Sequence, residues 1–375
     1  MKRRNFLRTA GAGSAGLAAM NLPASGMQHH QSNEKFPDAV PMIHAADLYH
    51  QHGDPDDHWD LASVYALAYS GHIKLKGLII DWPPRRTFGD PDVMGIAQMN
   101  YLTGLVVPSV MGAPNPMKYR NDIQPDANRM EHQGINWVID TLKKSPSPVV
   151  INIVGAATNI ALAAKKEPVL FKEKCKAIYL NAGIALRKRE TPPDYNASLD
   201  VSSYAAIFDV PCPLYWLPCD HEPGVNEVGE YSSYYKFLQG DILPLLPKRV
   251  LNFFLFMLGQ ARSHKWLEYL NGEPDQRLLA SKGAQHRLMW CTAGFLHAAG
   301  KKVTAKGDIV SLNSKRASVF SFVPARIKSE DSGHTEWELG EQSPERYILH
   351  IDDMDNYEKA ITTALKNLIF MLPQG

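Results

Sequence analysis

The segment VVINIVGAATNIALAAKK, residues 149–166, decides the fold class of this 375-residue chain. Residues 149–154 form a continuous apolar run, which favours a strand buried on both faces of a sheet. A turn of small residues follows, and Ala, Leu and Ile then recur at helical spacing over residues 158–166. A strand followed directly by a helix is the repeating unit of a parallel α/β sheet.

The same alternation continues on both sides of this segment. The sequence predicts strands at 40–43, 75–80, 106–110, 177–180 and 213–217, and helices at 61–67, 93–105, 135–144 and 204–208. Residues 303–327 resemble a late β segment, residues 357–371 a closing amphipathic helix, and the apolar residues 242–258 a core helix or a lid over a cleft. We therefore predict an α/β fold, with an open, mainly parallel, doubly wound sheet flanked by helices and a small C-terminal β segment.

Bulk composition narrows the classes of partner. Apolar residues make up 45% of the chain, charged residues 21%, and the formal net charge is +1. These values are ordinary for a soluble globular protein, and they favour neither nucleic acid nor an anionic membrane as partner. The four cysteines lack zinc-site spacing. A single strand between Cys212 and Cys219 would hold its ends too far apart for a disulfide, so we expect the cysteines to be reduced and mostly buried. The sequence is compatible with a homo-oligomer.

The N-terminus has the pattern of an export signal. Twin arginines, Arg3 and Arg4, precede an uncharged segment rich in Ala and Gly, and small residues follow at 23–26. This order is typical of the twin-arginine route, and the alternative is a basic, disordered tail. We expect residues 1–34 to be signal and linker, and residues 35–375 to form one domain. The mature protein is then periplasmic or secreted, without membrane association.

An acidic run at residues 52–60, HGDPDDHWD, predicts a cation site. Its four aspartates fall within seven residues, so their charges repel unless they are solvated or neutralised. Ca²⁺ is the kind of hard cation that binds several carboxylate oxygens at once. The alternative is a solvated acidic turn in which an aspartate caps the following helix.

Three further motifs follow the acidic run in a fixed order. They are VGAATNIALA at residues 154–163, NAG at 181–183 and DYNASLD at 194–200. As an ordered set they resemble the inosine–uridine-preferring nucleoside hydrolases, whose patterns are D-x-D-P-x-x-D-D, T-G-P-L-T-N-I-A, M-G-G and E-F-N-x-x-x-D-P-x-A-A. The similarity extends from about residue 40 to the end of the chain, and its closing part is HIDDMDNY at residues 350–357.

The resemblance implies a hydrolase of N-glycosidic bonds in nucleosides or related ribosyl compounds. In that family Ca²⁺ holds the water nucleophile and two ribose hydroxyls, while a loop aspartate acts as general base. The resemblance assigns catalytic roles to Asp54 and Asp57. It assigns metal binding to Asp54, Asp60 and the carbonyl of Val154, and ribose binding to Asp194 and Asn196. Asp54 is the expected base, with Asp57 as its rival.

Aromatic residues are expected to complete the pocket, because ring faces suit a sugar or base. We place Trp82 among the substrate-binding residues, with Trp59 and Trp290 as further candidates. The alternatives are that at least two of these tryptophans lie in the core, that residues 194–196 are a polar surface turn, and that Thr158 and Asn159 serve as a helix N-cap.

The sequence departs from the family pattern at three points. Trp59 occupies one position of the adjacent aspartate pair, and no asparagine follows the second strand at residues 81–84. The late His-Asp pair should fall near residues 288–291, where there is no carboxylate. His286, Asp220 or His221 would have to replace it.

Two classes of function therefore stand beside each other. The first is an exported hydrolase that uses a Ca²⁺-bound water activated by a loop aspartate. The second is a catalytically inactive periplasmic protein of the same fold, which binds a sugar or nucleoside without turnover. A third, weaker reading is a metal-dependent hydrolase with a substrate outside the nucleosides.

Overall fold

The computed structural model describes residues 38–51, 55–84, 89–186, 192–221 and 224–374. The predicted export signal and Asp54 lie outside the described residues. No helix in these ranges has the length and apolar character needed to cross a membrane.

The strands alternate with helices as the sequence predicts. The strands are β1 (Val40–Ala46), β2 (Tyr49–His50), β3 (Ile73–Ile80), β4 (Asp90–Pro91), β5 (Ser109–Met111), β6 (Val149–Ile153), β7 (Cys175–Asn181), β8 (Leu214–Leu217), β9 (Tyr235–Leu238), β10 (His286–Met289), β11 (Lys301–Val303), β12 (Ile309–Ser311), β13 (Phe320–Ser329), β14 (Thr335–Leu339) and β15 (Arg346–Ile351). The helices are α1 (Asp56–Tyr69), α2 (Val93–Thr103), α3 (Gln133–Lys144), α4 (Thr158–Lys166), α5 (Pro168–Lys174), α6 (Tyr195–Leu199), α7 (Val201–Ile207), α8 (Lys248–Leu258), α9 (Trp266–Asn271), α10 (Gln276–Gly283), α11 (Thr292–Ala298) and α12 (Met354–Ile369).

Nine strands form one open sheet in the order β14-β13-β15-β8-β7-β6-β1-β3-β5. The seven strands from β15 to β5 are parallel to their neighbours, whereas β13 and β14 pair antiparallel at one edge. The late β segment therefore extends the main sheet. β1 lies between β3 and β6, so the winding of the chain reverses at β1, and ligand sites in such sheets lie at the carboxyl ends of the strands beside this reversal.

Helices cover both faces of the sheet, which confirms the doubly wound prediction. Met42 and Ala46 of β1 join the apolar layer under α1, α2, α8, α11 and α12, whereas Ile43 and Ala45 join the layer under α3, α4, α5 and α7. Successive side chains of a strand point to opposite faces. A strand covered on both sides is apolar along its whole length for this reason.

Two element boundaries at the start of the fold differ from the prediction. β1 continues past residue 43 to Ala46, because His44 is buried and bonds Asn152 of β6 at 3.0 Å between Nδ1 and Nδ2. α1 begins at Asp56 rather than after Asp60, so Asp60 lies one turn inside the helix. Aspartates in the first turn interact favourably with the positive end of the helix dipole, which explains the earlier start.

Three other predictions are settled by burial and contacts. Residues 242–258 provide a core helix and not a lid, since α8 is buried and the ring centroid of its Phe254 lies 4.1 Å from that of Trp59. α4 begins at Thr158 with Ala157 as its cap residue, so the N-cap prediction for Thr158 and Asn159 is wrong. All four cysteines are free and buried, as expected.

Candidate active site

A cavity of about 450 Å³ opens at the carboxyl ends of the strands, where the winding reverses at β1. Its acidic side is lined by Asp47, Asp56 and Asp57, and its wall includes Trp290 and Cys291. Val154 and Asn196 also line it, at the end of β6 and in α6. The position agrees with the general location of ligand sites in open α/β sheets.

Asp47 is the residue that the sequence analysis missed. It directly follows β1, is only 2% exposed, and shares a hydrogen bond with the side chain of Asp57. Burial raises the pKa of Asp47 to about 7, and the nearby charge of Asp194 adds to the shift. The signal that could have identified Asp47 is its position directly after the apolar pair Ala45 and Ala46. The polar His44 before this pair made the strand seem to end earlier.

Asp57 and Asp60 continue the acidic cluster along α1. Burial raises the pKa of Asp57 well above its ordinary value, and the charges of Asp47, Asp56 and Asp60 act in the same direction. Burial likewise raises the pKa of Asp60 to about 8, and the thiol of Cys291 beside it opposes that shift. Repulsion and desolvation together disfavour three carboxylates in this space.

The oxygen chemistry of this cluster, rather than its spacing, suits a hard divalent cation, since among the described residues the acidic or histidine ligand atoms that lie within 4.8 Å of one another belong to His50, His58 and Asp92. Oδ1 of Asp47, Oδ1 of Asp57 and both carboxylate oxygens of Asp60 are buried without an N–H or O–H donor among the described residues. A buried carboxylate oxygen without a donor or a cation is costly, by roughly 1–3 kcal/mol or more for a charged group. Oxygen ligands of this kind are those that Ca²⁺ binds.

Asn196 connects the cavity to two strand ends. Its Nδ2 donates to the carbonyl of Val154 at 2.7 Å and to that of Asn181 at 2.9 Å. A carbonyl oxygen has two lone pairs, so the Val154 carbonyl keeps one for a ligand. The side chain therefore fixes the backbone at the position predicted for a metal ligand.

Asp194 lines the cavity and also caps α6. Its carboxylate accepts from the backbone N–H groups of Gly183 at 2.5 Å, Asn196 at 3.1 Å and Ala197 at 3.3 Å. Asp194 therefore holds a turn in place and also lines the cavity where the ribose contact is predicted. Burial raises the pKa of Asp194, and these backbone bonds partly offset the shift.

Comparison with known proteins identifies the fold. No family model matches the chain. It is 27% identical over 107 residues to an uncharacterised protein of Schizosaccharomyces pombe, a match that spans 27% of this chain and 34% of that protein. Three solved structures each match 88% of this chain. The effector protein XOO4466 is 14% identical, is covered over 94% of its length and has a TM-score of 0.54. A purine-preferring ribonucleoside hydrolase from Gardnerella vaginalis is 14% identical (99% covered, TM-score 0.51), and a plant nucleoside hydrolase is 11% identical (98% covered, TM-score 0.50). This chain has the fold of the nucleoside hydrolases. The resemblance drawn from its ordered motifs is therefore confirmed at the level of the fold.

Within the nucleoside hydrolase fold, the tryptophans separate into three environments. Trp290 lines the cavity, whereas Trp59 is fully buried in the core. Trp82, predicted to bind substrate, instead lines a neighbouring cavity of about 640 Å³, where its Nε1 donates to the Gly112 carbonyl at 2.9 Å. Trp82 therefore lies outside the cavity that contains Asp47, and Tyr195 lines both cavities.

The neighbouring cavity contains Asp81 at the end of β3. Its carboxylate accepts from the backbone N–H of Ala156 at 2.8 Å and from Nδ2 of Asn159 at 3.0 Å. Unlike the carboxylate oxygens of Asp47, Asp57 and Asp60 described above, the Asp81 carboxylate accepts from two N–H donors. Asp81 therefore holds the turn after β6 in place.

The late segment of this nucleoside hydrolase fold reaches the cavity without a carboxylate of its own. Cys291 lies at the position next to Asp60, and Asp220 lines the cavity from the end of β8. Asp220 accepts from the backbone N–H of Asn226 at 2.6 Å. His286 is exposed beside a separate surface cleft, and His221 packs against Tyr231, so of the three candidate substitutes only Asp220 lines this cavity.

Proposed function

We propose that this protein hydrolyses the N-glycosidic bond of nucleosides or related ribosyl compounds. The observation that carries the proposal is the group of buried carboxylate oxygens without donors beside a 450 Å³ cavity in a nucleoside hydrolase fold. A cavity of this size suits a ligand of nucleoside size. The acidic groups beside it suit a reaction that must activate water.

Asp47, Asp57, Asp60 and the Val154 carbonyl would hold a divalent cation, and Ca²⁺ is the ion that best matches an all-oxygen donor set. When bound, such a cation lowers the pKa of a water molecule and orients it. Asp54, predicted as a further ligand, lies outside the described residues. Cys291 contributes a thiol beside Asp60, where a further carboxylate is expected from the family pattern.

Asp47 is our candidate for the general base, with Asp57 as the alternative. Its carboxylate lines the cavity, and a base is effective when its pKa lies near the working pH. In the metal-free protein burial raises the pKa of Asp47 to about 7, and a cation held by the same carboxylate would lower it again. Asp57 shares a hydrogen bond with Asp47, so the two carboxyl groups titrate as a pair.

The remaining wall divides into a polar and an apolar part. Asn196 lies near the acidic side, where sugar hydroxyls find hydrogen-bonding partners. Leu288, Trp290 and Val225 form the apolar part, which suits the ring of a leaving base. The arrangement favours a substrate with a hydroxyl-rich end and a flat, weakly polar end.

A sugar-release assay tests the proposal. The full chain is incubated with a panel of purine and pyrimidine ribonucleosides, with added Ca²⁺ or with chelator, and the released reducing sugar is measured. We expect Ca²⁺-dependent release, with a loss of about 10²-fold or more in Asp47→Asn, the usual contribution of a general base. Asp140→Asn, on the exposed side of α3, is the matched control. The absence of sugar release from every nucleoside contradicts the proposal.

A second candidate function is ligand binding without turnover. The replacement of the late carboxylate by Cys291 favours it, because one metal ligand of the family pattern is then missing. Calorimetry with the same nucleosides separates the two functions. Saturable binding without sugar release supports the binding protein, and any metal-dependent release excludes it.

We also propose that the protein is exported by the twin-arginine route. The support is the order of twin arginines, uncharged small-residue segment and small residues in the first 26 positions. Replacement of Arg3 and Arg4 by lysine should keep the protein in the cytoplasm of a bacterial host with this pathway. Unchanged export of that variant contradicts the proposal.

A further inference from the structure

Two histidines and an aspartate meet outside the cavity. His50 lies in β2, His58 in the first turn of α1, and Asp92 at the N-cap of α2. One candidate ligand atom from each lies within 4.8 Å of the other two. None of the three residues lines the cavity described above.

The contacts of His50 leave one ring nitrogen available. Its Nε2 lies 2.6 Å from the carbonyl oxygen of Ala261, so Nε2 must carry the proton of this bond. Nδ1 lies 3.5 Å from Oδ2 of Asp92 and has no hydrogen-bond partner among the described residues. In the neutral ring, a lone pair therefore faces a carboxylate oxygen, and either a second proton on the ring or a metal ion at this point relieves the repulsion.

The other two residues converge on the same point. Oδ1 of Asp92 accepts the backbone N–H of Gly95 at 2.8 Å, which leaves Oδ2 for another partner. Nε2 of His58 lies 2.8 Å from that Oδ2, and His58 is only 1% exposed. Ligand atoms around tetrahedral zinc, with bonds of about 2.0 Å, are about 3.3 Å apart. The 3.5 Å separation of His50 Nδ1 and Asp92 Oδ2 is close to this value, whereas the 2.8 Å separation of His58 Nε2 and Asp92 Oδ2 is that of a direct hydrogen bond, which a bound ion would replace.

We infer that His50, His58 and Asp92 form a second metal site, for a divalent transition ion such as Zn²⁺. Two imidazoles and one carboxylate suit Zn²⁺ and its neighbours in the first transition row, whereas Ca²⁺ prefers oxygen ligands alone. The hydrogen bond from His50 to the Ala261 carbonyl is the outer contact that orients a ligating imidazole. The two imidazole nitrogens therefore distinguish this site from the cluster of Asp47, Asp57 and Asp60, which offers carboxylate oxygens.

The site joins three parts of the chain. His50 follows Asp47 by three residues, His58 follows Asp57 directly, and Asp92 belongs to the connection between β3 and α2. A bound ion would therefore fix the segment that carries two of the cavity carboxylates against α2. This role is structural, and it does not depend on whether the cavity hydrolyses nucleosides.

Metal binding by the full chain, stripped of metal, tests the inference. Co²⁺ is added as a spectroscopic probe, and Zn²⁺ affinity is then measured by competition. We expect one Co²⁺ per chain to show the intense visible absorption of a low-coordinate ion, apart from any ion held by the carboxylate cluster, and a rise in thermal midpoint on addition of Zn²⁺. A wild-type protein that gives neither signal overturns the inference, whatever the variants do.

Four variants locate the ion. His50→Gln and Asp92→Asn should each weaken Zn²⁺ binding at least tenfold, and in Asp92→Asn the amide oxygen still accepts from Gly95. Asp47→Asn in the cavity and His286→Gln on the surface should keep the wild-type affinity. Unchanged binding in His50→Gln, or loss in His286→Gln, assigns the ion elsewhere and overturns the site.

Discussion

A side-chain carbon at Gly155 would lie 2.6 Å from the backbone nitrogen of Asp47. The same carbon would lie 2.7 Å from Oδ2 of Asp81 and 2.9 Å from Oδ1 of Asp47. Only glycine therefore lets the turn after β6 pass this close to both carboxylates.

Gly155→Ala should displace Asp47 and lower the free energy of unfolding by about 1–3 kcal/mol, the usual cost of overpacking. Urea denaturation measures the loss, and Ca²⁺ binding should weaken with it. Gly283→Ala is the matched control, because its added carbon comes no closer than 3.4 Å to Gly240. Equal stability of the two variants would contradict this account of the turn.

The pH dependence of stability follows from the buried carboxylates. The pKa of Asp47 is about 7 and that of Asp60 about 8 in the folded protein, whereas both are near 3.8 when unfolded. Between these values the native state binds more protons than the unfolded state, so its stability falls as the pH rises. Burial lowers the pKa of His44 to about 3 and of His297 to about 4, which opposes this trend below about pH 6.5, so we expect the free energy of unfolding of the metal-free protein to decrease from about pH 6.5 to about pH 8.

Denaturation at several pH values, with and without Ca²⁺, measures this trend. Saturating Ca²⁺ should reduce the slope, because the cation favours the charged carboxylates in the native state. Asp60→Asn should reduce the slope of the metal-free protein as well. A flat profile without metal would show that these carboxylates are not desolvated as described.

Cys291→Asp should strengthen Ca²⁺ binding by about an order of magnitude, since affinity rises with the number of carboxylate ligands. Calorimetric titration measures the affinity. Cys291→Ser, which changes the size little and adds no charge, should bind Ca²⁺ as the wild type does. A weaker affinity in Cys291→Asp would mean that the ion lies away from Asp60.

The two tryptophans beside the cavities should differ in their effect on substrate binding. Trp290→Ala should raise KM for nucleosides about two- to twelvefold, the range expected from an aromatic contact of about 0.5–1.5 kcal/mol. Trp82→Ala should leave KM unchanged, because Trp82 lines the other cavity. Steady-state kinetics measures KM for both variants. A larger rise in KM for Trp82→Ala than for Trp290→Ala would mean that the substrate binds in the neighbouring cavity, on the other side of Tyr195.

The fold was predictable because buried parallel strands are apolar on both faces. The runs at residues 149–154 and 177–180 have no other favourable environment, and the helices between them follow from spacing. The exact end of β1 was not predictable, because His44 is polar in sequence and its Nδ1 finds a partner only in Asn152, more than a hundred residues later. Because the predicted strand ended at residue 43 and not at Ala46, Asp47 was not among the predicted site residues.

The composition of the site was only partly predictable for a similar reason. The ordered motifs placed Asp57, Val154, Asp194 and Asn196 at the cavity, where all four are found. They also pointed to residues 288–291, which reach the cavity through Trp290 and Cys291. Local pattern could not reveal that the thiol of Cys291 meets Asp60, because no regularity in sequence connects two residues so far apart.

This distance along the chain has a consequence for biogenesis. The acidic side of the cavity comes from the first elements of the fold, and the opposing wall comes from the segment before α11. Contacts of such high sequence separation form late, after much of the chain is ordered. A nascent chain that has not yet released residue 291 therefore has carboxylates but no enclosed pocket, and ligand binding reports on completed folding.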